Sequence, residues 1–215
     1  EQGKPCLRGH LEAGALKVVC SAPFKSKTAG VTSSQDAITM IYGINHLSYK
    51  PAEHHVISAA SCTTTGLAHL IKPLLENKET SNIMTASMST IHAATNTQSI
   101  LDSVPKAGAT DLRKTRSVLN NIILSTTGAA KALELVMPQI KSVGFMADSV
   151  RIPTSTVSLI NLNVTFHTEL NELGQPLVNR RLINDIYKQA AEGPQKGLLI
   201  YSERQNVSAD LIGSM

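Results

Sequence analysis

The chain has 215 residues, 42% hydrophobic and 17% charged, with no Trp and a formal net charge of +4. That is an ordinary soluble globular composition, enough for one large domain or a domain and a half. No apolar run approaches the roughly twenty residues of a membrane span, and Glu1-Gln2-Gly3-Lys4 does not read as a signal peptide. Cys6, Cys20 and Cys62 are widely spaced, without a CxxC or a metal-ligand spacing, so reduced cytosolic thiols and no metal are expected. The basic residues form no block. This suits small anionic ligands, with neither a membrane nor a nucleic acid expected as partner.

In chain order, residues 16–20 and 38–42 are short apolar runs that read as strands, separated by a Lys-, Ser- and Thr-rich loop at 25–35. Val56-Ile57-Ser58-Ala59-Ala60 predicts a short buried strand. Beyond it Leu67, Leu70, Ile71, Leu74 and Leu75 recur at helical spacing, so a helix is predicted to begin at Cys62. Thr63, Thr64 and Thr65 offer hydroxyls to cap it. Cys62 thus stands at a strand–helix junction, where the positive end of the helix dipole favours thiolate over thiol. The alternative is a buried, inert cysteine, the common fate of a lone thiol.

A further apolar stretch, residues 83–91, precedes His92, thirty positions after Cys62. It reads as a strand parallel to the one before Cys62, with the helix as crossover, which brings both side chains out at one end of one sheet. A thiolate beside an imidazole is an activated nucleophile–base pair, although a lone His is as often structural. Residues 96–115, with Pro105 and Gly108, lack periodicity and read as a long loop, functional or merely at the surface. Residues 142–150 are strand-like. Asn161, Asn163 and Thr165 alternate with Ile160, Leu162, Val164 and Phe166, the period of a half-buried antiparallel strand. Residues 178–191 predict a helix with Ile183, Ile186 and Tyr187 on one face, and 198–201 a short closing strand. That order argues for α+β organisation after Cys62. The three short strands before it resemble the last strands of a nucleotide-binding half, yet no G-x-G-x-x-G turn is present.

Four segments stand in order: Ser61-Cys62-Thr63-Thr64, Ser89-Thr90-Ile91-His92-Ala93-Ala94-Thr95, Ser125-Thr126-Thr127-Gly128-Ala129-Ala130-Lys131-Ala132 and Val150-Arg151-Ile152-Pro153-Thr154. Together they resemble the phosphorylating glyceraldehyde-3-phosphate dehydrogenases, over about residues 11–209. The resemblance implies a mixed α/β and α+β fold. Residues 1–61 would be the incomplete C-terminal part of a Rossmann-type NAD(P)-binding domain. Residues 62–215 would be an α+β catalytic domain with a largely antiparallel sheet, short of the family's last strand and helix.

The activity implied is oxidative phosphorylation of glyceraldehyde 3-phosphate to 1,3-bisphosphoglycerate through a cysteine thioester, with NAD as cofactor and NADP left open. Cys62 would be the nucleophile and His92 the base. Thr95 and Arg151 would hold the substrate's phosphate, and Ser61, Thr63, Thr127 and Gly128 the inorganic phosphate, since hydroxyls and helix-start N–H groups suit phosphate oxygens. Each threonine could equally be a helix cap, Thr127-Gly128 above all. Arg113 and Arg116 match two basic positions of the family, or form a solvated surface pair. A cytoplasmic homotetramer serving glycolysis and gluconeogenesis is also implied.

The alternatives are an erythrose 4-phosphate dehydrogenase, or a non-catalytic truncated piece acting in assembly or binding. An aspartate-semialdehyde-type dehydrogenase is disfavoured by Thr127-Gly128. The 215-residue chain alone is expected to lack dehydrogenase activity. Thr65 and Gly66 depart from the family's Asn and Cys, and residues 3–8 are shorter than its equivalent segment.

Overall fold

The computed structural model describes residues 7–24 and 34–214. A short helix α1 (Arg8–Glu12) leads into β1 (Val18–Cys20), followed by β2 (Ala37–Thr39) and β3 (Val56–Ser58). These strands form a parallel sheet in the order β1-β3-β2. Part of the 25–35 loop, Cys6, and residues 3–6 of the short N-terminal segment lie outside the described residues. Strand β2 stops at Thr39 rather than running to residue 42. The Asn45 side chain accepts the Ile41 N–H at 2.8 Å and donates to the Thr39 carbonyl at 2.9 Å, replacing a neighbouring strand with a local turn.

The second sheet contains β4 (Ile83–Ala93), β5 (Ile123–Ser125), β6 (Gly144–Ile152) and β7 (Ser158–Phe166), in the order β5-β6-β4-β7. The β5–β6 and β4–β7 pairings are antiparallel, and the central β4–β6 pairing is parallel. Its inner face carries Ala86, Met88, Phe145, Ala147, Ile160, Leu162, Val164 and Phe166. These pack against α2 (Cys62–Glu76) through Leu67 and Ile71, and against α3 (Ala129–Val136) through Ala129, Leu133 and Val136. Leu67, Ile71 and Leu133 are fully buried, each contributing about 1.5–3 kcal/mol. The alternation read in residues 160–166 is β7 itself, with its asparagines on the exposed face.

Two expectations need correction here. The strand before Cys62 and the strand carrying His92 do not share a sheet. Strand β3 has β1 on one edge and β2 on the other, so no edge is left for β4, which joins β6 and β7 instead. Residues 198–201 form no strand either. The Leu198 and Leu199 N–H groups both donate to the Gln195 carbonyl at 2.9 Å, committing that backbone to a turn with one isolated bridge. The helix predicted at 178–191 is α4 (Arg180–Glu192), capped by the Asn179 side chain. Neither α1 nor β5 was expected.

Helix α2 contains Pro73, which has no N–H to offer the His69 carbonyl one turn earlier. Gln195, 1% exposed, supplies the missing donor: its Nε2 donates to the His69 carbonyl at 3.0 Å and to His69 Nδ1 at 2.9 Å. The Tyr187 hydroxyl, pushed up to about 12 by burial, donates to the adjacent Leu70 carbonyl at 2.8 Å. Burial holds the His69 imidazole below its ordinary 6.5; the Tyr42 backbone carbonyl opposes this and Lys72 adds to it.

The unfolded chain therefore takes up that proton below pH 6.5 while the folded chain resists it, so His69 costs stability as the pH falls. Gln195→Leu is expected to cost about 1–3 kcal/mol, because it strands both acceptors on His69. In the pair His69→Leu with Gln195→Leu, the loss of urea midpoint between about pH 7.5 and 5.5 should shrink. A wild-type loss in the double variant would show that His69 is not the titrating group.

Candidate active site

The junction between β3 and α2 is built by three small residues. The Ser58 hydroxyl, fully buried, donates to the Ala22 carbonyl at 2.8 Å and accepts the Ala60 N–H at 3.1 Å. Ala60 then takes φ of 59°, in the left-handed region, which costs a non-glycine residue roughly 1–2 kcal/mol and turns the chain sharply. Ser61 is the N-cap of α2; its Oγ accepts the Thr64 N–H at 3.2 Å. The cap is therefore Ser61 and not one of Thr63–65, because Cys62 is already the first helical residue. Its thiol is exposed, at the end of α2 where the helix dipole is positive.

His92 approaches from the other sheet. It lies near the C-terminal end of β4, in register with Arg151 on β6 and Ser158 on β7. Its Nε2 is 3.5 Å from Cys62 Sγ, and Thr63 Oγ1 is 3.9 Å from the same sulfur. On the far side of the ring, Nδ1 is 2.8 Å from the Ala93 carbonyl oxygen. The Arg151 guanidinium reaches into that corner, where Nη1 contacts His92 Nδ1 and donates to the Ala93 carbonyl at 3.1 Å. Arg151 Nε is buried without a partner. Burial draws the guanidinium below its ordinary value, and negative charge on Cys62 opposes that shift.

The expected anion-binding residues divide into two groups. Cys62, His92, Arg151 and Thr63 converge, and Ser61 adjoins them but spends its hydroxyl on Thr64, by the cap and by a 2.7 Å contact with Thr64 Oγ1. Thr95 follows at the end of β4, exposed, its Oγ1 bonded to Gln98 at 3.0 Å and to Thr97 at 2.9 Å. Thr127 accepts the Ala129 N–H at 3.2 Å and Gly128 is the N-cap of α3, so both serve as the start of that helix. In the long loop Arg113 pairs with Asp111 at 2.7 Å and Arg116 with Asp102 at 3.3 Å. Such exposed pairs contribute ~1 kcal/mol or less.

Two features of the site carried no signal in the residues: the Ala93 carbonyl, a backbone atom, and the left-handed turn at Ala60. Among the described residues no group of His, Cys, Asp and Glu could hold a metal ion, and no helix is long and apolar enough to cross a membrane. The described residues also do not fit the pyrophosphate of a dinucleotide. In the parallel sheet, the strand-to-helix turn after β3 carries Ala60, Ser61 and Cys62 where a phosphate cradle would need glycines.

The second sheet, with α2 and α3 on one face and the thiol at a helix start, is an α+β catalytic domain. Residues 61–215 match the family model described as glyceraldehyde 3-phosphate dehydrogenase, C-terminal domain. Glyceraldehyde-3-phosphate dehydrogenase of Geobacillus stearothermophilus is 43% identical over 205 residues, covering 95% of this chain and 54% of that relative. Glyceraldehyde-3-phosphate dehydrogenase 2 of Streptomyces avermitilis is 42% identical over 205 residues, covering 95% and 53%. Glyceraldehyde-3-phosphate dehydrogenase 1 of Bacillus subtilis is 41% identical over 205 residues, covering 95% and 54%. The chain belongs to the glyceraldehyde-3-phosphate dehydrogenase family, and it spans about half the length of the curated relatives it matches.

Proposed function

We propose that this chain carries the nucleophile and base of a phosphorylating glyceraldehyde-3-phosphate dehydrogenase acting in glycolysis and gluconeogenesis. Residues 1–61 are read as the end of an NAD(P)-binding domain and 62–215 as catalytic domain, in a cytoplasmic homotetramer. The single observation behind the reading is the 3.5 Å approach of Cys62 Sγ to His92 Nε2 at the start of α2. The sulfur stands at the start of α2, and charge on Cys62 acts on the Arg151 guanidinium. Cys62 adds to the aldehyde carbon of glyceraldehyde 3-phosphate, giving a thiohemiacetal, and His92 takes the hydroxyl proton. A nicotinamide, of NAD with NADP left open, would supply the hydride acceptor when bound. The Cys62 thioester that results is opened by an oxygen of inorganic phosphate; the C–S bond breaks, the thiolate leaves and 1,3-bisphosphoglycerate forms.

Arg151 and Thr95 are assigned to the substrate's phosphate, and Ser61, Thr63, Thr127 and Gly128 to the inorganic one. A guanidinium with an unpartnered buried Nε supports the first assignment, because a buried donor without an acceptor is costly. The Thr63 hydroxyl, the remaining O–H of Thr127 and the first-turn N–H groups at two helix starts support the second.

Iodoacetamide near pH 7 tests the pair. Cys62 is expected to react about tenfold or more faster than Cys6 and Cys20, and His92→Asn to slow Cys62 by about tenfold while leaving the other two unchanged. Equal rates at all three cysteines would remove Cys62 from the nucleophile's role.

A further inference from the structure

Between the first sheet and α2, the direction of the chain is set at one residue. The Ser58 carbonyl accepts the Met40 N–H at 2.9 Å and the Ala59 N–H donates to the Cys20 carbonyl at 2.9 Å. The segments of β2 and β1 thus hold the backbone in place up to Ala59. From Ser61 onward the chain is committed to α2, whose Leu67 and Ile71 are fully buried. Ala60 lies between the two, at φ of 59°. Its side chain is buried, and its N–H donates to Ser58 Oγ at 3.1 Å, the local amide-to-hydroxyl bond that stabilises a turn. The Ser58 hydroxyl spends its own proton on the Ala22 carbonyl at 2.8 Å, leaving its oxygen to accept from Ala60. An alanine enters the left-handed region only at a cost, and that bond helps to offset it.

We propose that Ser58 is a positioning residue for Cys62, acting through the left-handed turn at Ala60. The proposal rests on reading Cys62 and His92 as the nucleophile–base pair. The two side chains are delivered by different sheets, His92 by β4 and Cys62 by the exit from β3. Their 3.5 Å approach therefore depends on the angle at which α2 leaves the first sheet, and Ala60 sets that angle. Without the Ser58 hydroxyl, the buried Ala60 N–H loses its acceptor and the left-handed conformation loses its support. The turn relaxes, and the first turn of α2, with Ser61 and Cys62, gives way before the buried part of the helix. Cys62 is already exposed, so the relaxation changes its approach to His92 rather than its access to a reagent. Ser58 is fully buried and takes no part in the chemistry itself.

Iodoacetamide labelling of Cys62 near pH 7 in the 215-residue chain, with urea midpoints measured in parallel, tests the coupling. Ser58→Ala is expected to slow Cys62 by about three- to tenfold, no further than His92→Asn does. Adding Ser58→Ala to His92→Asn should slow Cys62 no more, because the contact that Ser58 maintains is already gone. Ala60→Gly placed on Ser58→Ala should bring the rate back to within about twofold of wild type, since glycine holds the left-handed conformation unaided.

A purely structural Ser58 gives a different pattern: a lower urea midpoint with wild-type labelling, or the same slowing with and without His92. Either result overturns the proposal, as does a double variant, Ser58→Ala with Ala60→Gly, that labels as slowly as Ser58→Ala. If Ser58→Ala alone does not fold, a folded double variant with near-wild-type labelling supports the proposal, and one that does not fold overturns it. Equal rates at Cys6, Cys20 and Cys62 in the wild type would remove the nucleophile–base pair and the positioning with it. Fast, selective labelling of Cys62 that Ser58→Ala leaves unchanged removes Ser58 alone, and the dehydrogenase reading stands.

Discussion

A polypeptide of these 215 residues is expected to hydrolyse p-nitrophenyl acetate slowly, to lose that activity to the level of buffer on Cys62→Ser, and to produce no NADH from NAD and glyceraldehyde 3-phosphate. Attack on an activated ester needs a thiolate and a nearby base, and Cys62 with His92 at 3.5 Å provides both. Hydride transfer also requires the acceptor ring to be held against the reacting carbon, and such positioning accounts for much of an enzymatic rate. The parallel sheet of β1, β3 and β2 gives its strand-to-helix turn to Cys62, and the sequence contains no G-x-G-x-x-G turn to anchor a pyrophosphate. NADH formation by this chain alone would contradict that argument. Ester hydrolysis surviving in Cys62→Ser would contradict the nucleophile assignment.

Arg151→Leu should change which acyl donor is preferred. Transfer to Cys62 from an acyl phosphate that carries a second phosphate can be compared with transfer from acetyl phosphate. A charge-assisted contact is worth ~1.5–3 kcal/mol, so the ratio of the two rates is expected to fall about 10- to 150-fold. Taking the ratio removes whatever the substitution does to the thiol and the imidazole for both donors alike. An unchanged ratio would place the substrate's phosphate elsewhere. Thr95→Val should move the same ratio in the same direction by less, since a neutral hydroxyl contact contributes only about 0.5–1.5 kcal/mol.

The parts of this molecule that could be read from its residues are those with local periodicity. The face of α2 containing Leu67, Ile71 and Leu74, and the alternation along β7, are each written in a few consecutive turns or pleats. The meeting of Cys62 and His92 was legible as well, though by the wrong route. Which strands pair depends on which edges are already taken, and β1 and β2 occupy both edges of β3 from positions that short apolar runs do not encode.

The bracing of α2 lay further out of reach. Pro73 announces a carbonyl without its helical donor, but only the folded chain reveals that Gln195, far along the sequence, fills the gap. The same holds for the corner shared by His92, Ala93 and Arg151. One of its members is a backbone oxygen, and a backbone oxygen has the same chemistry at every position.

The most direct test of the account is the mass of the intact chain after brief exposure to 1,3-bisphosphoglycerate, the proposed product run backwards onto the enzyme. This step needs no cofactor, only the thiolate of Cys62, the imidazole of His92 and the groups that hold the two phosphates. The account predicts a gain of one 3-phosphoglyceroyl group, located on Cys62, removed by hydroxylamine and absent from Cys62→Ser. No adduct, or one shared with Cys6 and Cys20, would contradict it.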